Sequence, residues 1–152
     1  MTPDFSFVLL FPADARGEVL GALAQRCTAE TAGALTALHH SDGDASAQVI
    51  LRLPSDPALA EWRAAMAEQH TGELPDRVRL GYVQVGLAAA PDARMVLTLW
   101  PLTRRMQAAC VRSPEVRRLL VELLVAHRGI SGMLDHGDGS MTEMWPHDEG
   151  AA

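Results

Sequence analysis

The stretch TAETAGALTALHHSDGD, residues 28–44, decides how the N-terminal half of this chain folds. Thr31 to Leu38 can extend a preceding helix, at a cost from Gly33. Alternatively, a strand over 34–40 turns at Asp42-Gly43-Asp44 into a second strand at Gln48–Leu53. Asp-Gly is favoured where both turn residues need positive φ, and on that ground we expect the hairpin.

The flanks are plainer. Phe5–Phe11 is a short apolar run of strand type, and Asp14 is placed to cap a helix that lines up Val19, Leu20, Leu23 and Cys27. Downstream, Asp56 and Pro57 have the order of a cap and a first helical residue, with Leu59, Trp62 and Met66 as the buried stripe and Gly72 as the stop. Residues 77–88 form a strand in which Val78, Leu80 and Tyr82 alternate before the phase blurs at Val83. Pro91-Asp92 turns into a strand at 93–100, and a short helix covers about 103–110. The clearest helix is 114–127, with Ser113 as cap, Pro114 in the first turn, a Val116, Leu119, Leu120, Leu123 face, and Gly129 as the stop. A final hairpin, 130–135 with 140–145, turns through His136-Gly137-Asp138-Gly139.

Four strand ends share a Pro followed by a capping-type residue, as in Phe11-Pro12-Ala13-Asp14 and Leu53-Pro54-Ser55-Asp56. Proline ends a ladder because it cannot donate to it, so this is punctuation rather than a repeat array. The expected fold is a single α+β domain over 1–146, an antiparallel sheet with helices packed on one face, with an acidic flexible tail at 147–152. The first six elements follow the ferredoxin-like order. An open α/β sheet is the alternative if 28–45 is helical.

Composition agrees with one globular domain: 152 residues, 48% hydrophobic and 21% charged. The early apolar run follows Asp4 and has no small-residue cleavage site after it, so a cytoplasmic protein with no membrane contact is expected. The net charge of −6 makes general nucleic-acid binding a poor expectation, because that affinity comes from accumulated positive charge. All 13 basic residues are Arg, and the charge is uneven. Six arginines and only Glu115 fall within 94–118, whereas no Arg lies beyond residue 134. A local arginine patch suits an acidic protein surface or a small anion. The two cysteines, Cys27 and Cys110, form no CxxC pair and read as buried thiols.

Chemistry-bearing clusters are few. His39-His40-Ser41-Asp42-Gly43-Asp44 and Asp135-His136-Gly137-Asp138-Gly139 hold metal-ligand types, but adjacent histidines on a strand face opposite ways, and Asp and Gly are what tight turns require. No metal or cofactor is expected. His127, near a helix C-terminus, reads as a donor to free carbonyls. Gly129-Ile130-Ser131-Gly132 is a helix stop and turn rather than an RNA-binding loop.

The most informative feature is the arginine-rich segment. On the 114–127 helix, Arg117, Arg118, Val121 and Val125 fall on the side away from the leucines, and arginine interleaved with β-branched residues is interface-like. With Arg104 and Arg105 they define a candidate partner-binding or self-association surface. The expected function is non-enzymatic partner binding, as an inhibitor, immunity-type or regulatory subunit. The alternative is a small-molecule enzyme or sensor in which Arg104 and Arg105 clamp an anion and His39 or His136 moves a proton.

Overall fold

The computed structural model describes residues 5–40, 44–69 and 78–145, with side chains throughout except at 67–69 and 78–80. The Asp42-Gly43 turn, the Gly72 stop and the 147–152 tail lie outside the described residues. The chain runs β1 (Ser6–Pro12), a 3-10 turn (Ala13–Ala15), α1 (Arg16–Ala24), α2 (Ala29–His39), β2 (Ala45–Leu53) and α3 (Pro57–Gln69). It continues through β3 (Val78–Ala90), β4 (Arg94–Pro101), α4 (Arg104–Arg112), α5 (Pro114–Ala126), β5 (Ser131–Asp135) and β6 (Met141–Trp145). Among the described residues all strand pairs are antiparallel, in one six-stranded sheet of order β2-β3-β4-β1-β5-β6.

Residues 28–40 correct the expectation of a hairpin: they form α2, not a strand. The edge of β2 that a 34–40 strand would have used is already occupied. Thr28 N–H donates to the Ile50 carbonyl at 2.9 Å, Arg52 N–H donates to the Arg26 carbonyl at 2.7 Å, and Cys27 bridges Leu51. The Thr31 hydroxyl also accepts from Ile50 N–H, which pins the first turn of α2 to the strand. With the backbone committed there, the alanine-rich segment takes the helix its propensity favours and buries Leu35 and Leu38 from one face. Gly33 is tolerated because it is exposed. The ferredoxin-like order for the first six elements rested on the missing strand and falls with it. The sheet nevertheless stays antiparallel, so the open α/β alternative does not follow from a helical 28–40.

Asp14 is a second correction. It lies within the 3-10 turn and makes no side-chain cap; its carboxylate pairs with Arg128 at 3.0 Å. The blurred phase of β3 has a simple cause. Ile50 pairs with Tyr82 while Arg52 pairs with Arg79, so β3 carries one extra residue at that point. Beyond the bulge Val83, Val85 and Leu87 are buried and Tyr82 is exposed.

One sheet face carries the core. Phe7, Leu9 and Phe11 of β1 join Met95, Leu97 and Leu99 of β4, and the helices cover them with Leu20, Leu23, Leu59, Met106, Leu120 and Leu124. Packing there is close: a Cβ on Gly132 of β5 would sit 2.7 Å from a Leu124 methyl, so α5 meets the sheet at a position with no side chain. The result is a mixed α+β domain with an antiparallel sheet and packed helices. Among the described residues no helix is long and apolar enough to cross a membrane.

Candidate functional site

The α4–α5 corner is built from caps. Thr103 Oγ1 accepts from Met106 N–H at 3.2 Å and starts α4. Within α4 the buried Gln107 holds two strands at once: its Oε1 accepts from Phe5 N–H at 3.0 Å and its Nε2 donates to the Pro101 carbonyl at 2.8 Å. Ser113 ends α4 and caps α5, its Oγ accepting from Val116 N–H at 3.1 Å. Pro114 costs nothing in the first turn, where its missing N–H would be unpaired anyway.

Behind this corner lies Asp56. One carboxylate oxygen caps α3 by accepting from Leu59 N–H at 2.9 Å; the other accepts from Glu115 N–H at 3.0 Å and from the Ser113 hydroxyl in a short hydrogen bond. Burial raises the Asp56 pKa, but the hydrogen bonds from Ser113, Leu59, Glu115 and Ala58 outweigh it and hold the carboxyl below its ordinary value. A carboxylate so fully engaged is a clamp between helices rather than an acid–base group.

In front of the corner is an open groove of about 500 Å³. Val111, Pro114 and Val121 give it apolar surface, and Arg112, Arg117 and Arg118 give it charge. Arg112 is held toward Glu61 at 3.0 Å, and Arg118 pairs with Glu115 at 3.3 Å. Arg117 is exposed and has no ion pair among the described residues. Val125, one turn beyond Val121, is 64% exposed. Thus Arg117, Arg118, Val121 and Val125 lie together on the outer face of α5. Sequence alone points to Pro114 only as a helix opener and to neither Arg112 nor Val111 as site residues, although Arg112 sits inside the arginine-rich segment.

The remaining candidates do not converge there. Arg104 and Arg105 are exposed at the other end of α4, about 12 Å along the helix from Arg112 at 1.5 Å per residue, and neither lines the groove. His39 and His40 end α2 with ring centroids 4.9 Å apart, instead of pointing to opposite faces of a strand. His136 stacks edge-on against Phe5 at the β5–β6 turn and shares a 2.7 Å hydrogen bond with Thr142. His39 precedes β2 and His136 follows β5, toward opposite sides of the sheet. The acids beside His136 serve the turn: Asp135 accepts from Gly137 N–H, and Asp138 accepts from Ser140 N–H and its hydroxyl. Among the described residues no group of three or more His, Cys, Asp or Glu side chains is placed to hold a metal.

His127 differs from its sequence reading: its Nδ1 is buried without a hydrogen bond, 3.8 Å from Glu18. Both cysteines are free and buried, and burial pushes Cys27 to about 11; burial, with the charge of Asp56, pushes Cys110 to about 12. Neither is a nucleophile at neutral pH. Comparison with protein-family models, curated proteins and solved structures returns no match.

Proposed function

We propose that this domain is a non-enzymatic partner-binding protein, of the inhibitor, immunity-type or regulatory-subunit kind, and that its contact surface is the outer α4–α5 face. The observation that carries the reading is the groove lined by three arginines, Arg112, Arg117 and Arg118, together with apolar Val111, Pro114 and Val121, with exposed Val125 one turn further along α5. Arginine next to apolar side chains is characteristic of contact surfaces, since its planar fork binds carboxylates while its stem packs on hydrocarbon. The partner it fits presents an aliphatic or aromatic side chain to the groove and a carboxylate to Arg117.

Capture from native cells with the wild-type chain and with Arg117→Glu and Val121→Asp tests this. A stoichiometric protein partner retained by wild type and lost by both variants is the expected result. Recovery of free protein alone, or a partner retained equally by all three, overturns it.

A further inference from the structure

The helices cover only the sheet face that carries Phe7, Leu9 and Leu97; the side chains between them in sequence point the other way. On this second face the middle strands set Thr98 beside Val8 and Val96 beside Leu10, and Trp100 of β4 stands beside Gln84 of β3. The indole of Trp100 lies across Gly86 of β3, where an added Cβ would sit 3.2 Å from the ring. No charged side chain occupies the face positions of β1 from Ser6 to Leu10, of β4 from Val96 to Trp100, or of β3 from Gln84 to Ala88. A solvated face of an antiparallel sheet is ordinarily polar.

We propose that this face is a homodimer interface, on which a second copy of the chain packs sheet to sheet. Its size is sufficient. Six strands at about 4.8 Å and five residues at about 3.4 Å give roughly 500 Å² in projection, which side-chain relief brings to the order of 800 Å² that each partner buries in a stable interface. The pattern is also self-complementary. β4 and β1 are the two middle strands of the order, so a two-fold axis parallel to the strands between them lays β4 of one copy on β1 of the other. Near that axis Leu10 meets Val96 and Val8 meets Thr98. Asp135 and Glu143, the acids of the β5–β6 half, then face the half that carries Gln84 and Ser46 in the same rows, so no like charges oppose. This surface lies on the other side of the sheet from the α4–α5 groove and is independent of it.

Light scattering on the full chain, with Thr98→Arg, Gln84→Glu and Val121→Asp beside it, tests the proposal. Wild type and Val121→Asp are expected at twice 16.4 kDa. Thr98→Arg and Gln84→Glu exchange one polar side chain for another on the open face; each is expected to keep its far-UV circular dichroism and to dissociate at least about a hundredfold more readily, the first through a guanidinium set among the apolar side chains of the interface, the second through a carboxylate placed against Asp135 across it. The melting temperature of wild type is expected to rise with concentration, as for any dimer-stabilised fold, independently of how the variants fold. A monomeric wild type, a concentration-independent melt, a folded Thr98→Arg or Gln84→Glu that stays dimeric, or a dimer broken by Val121→Asp instead overturns it.

Discussion

The Asp56 carboxylate and the Ser113 hydroxyl, 57 positions apart in sequence, share a hydrogen bond that joins the first turn of α3 to the α4–α5 junction. Both residues are caps in their own right, so one contact fixes the start of two helices and the angle of the corner that holds the groove. Asp56→Ala is expected to lower unfolding stability by about 2–3 kcal/mol, more than a single cap, because amides of Leu59 and Glu115 lose their acceptor together. Urea denaturation measures it.

The same residue gives a pH dependence. The folded-state pKa of Asp56 lies below its ordinary value, so its contribution is full above the unfolded pKa, near 3.8, and is lost as pH falls through the folded value. Melting curves of wild type and Asp56→Asn are expected to differ most at neutral pH and to converge as pH falls below 4. A gap that widened on acidification would contradict the assignment.

Val121 and Leu120 are adjacent on α5 but belong to opposite faces. Val121→Asp is expected to leave the melt nearly unchanged and to abolish partner capture, whereas Leu120→Ala costs about 2–5 kcal/mol through the cavity it leaves. Thermal melting beside the capture assay separates the two.

The end of α5 makes a contrast between neighbours. Arg128 holds the left-handed conformation (φ 60°) and bridges Asp14 at 3.0 Å and Glu18 at 3.2 Å. Gly129 N–H donates to the Leu124 carbonyl at 2.6 Å, and a Cβ on Gly129 would lie 2.7 Å from the Leu124 Cα. Gly129→Ala is therefore expected to cost more than about 2 kcal/mol, since backbone must move. Arg128→Gly is expected to be nearly neutral, because relief of the left-handed residue offsets the lost surface pairs. Chemical denaturation of both variants checks the order.

Cys27 and Cys110 are expected to resist a water-soluble thiol reagent at pH 8 in the native protein and to react fully in denaturant. Their raised values leave on the order of one part in a thousand or less as thiolate at that pH, and both are buried. Rapid native labelling would mean the fold opens around α4 or the α1–α2 junction.

Local chemistry determined β1, α3, α5 and the last hairpin. A proline in the first turn after a capping side chain, a leucine face at helical spacing, or Asp-Gly at a turn acts over a few residues and needs no distant partner. The outer face of α5 was legible for the same reason: once Ser113 and the leucines set the helix phase, Arg117, Arg118, Val121 and Val125 had to point away from the core. Residues 28–40 drew on both: Leu35 and Leu38, three apart, share one face of a helix but would point to opposite sides of a strand, and tertiary structure closed the strand alternative. The choice fell to hydrogen bonds from residues 26–28 that fill the β2 edge. It also decided that Arg112 rather than Arg104 or Arg105 flanks the groove, since that depends on how α4 meets α5 across Ser113. The bulge in β3 and the place of β1 between β4 and β5 belong to this second kind, for strand pairing joins residues too far apart in sequence for any local pattern to specify.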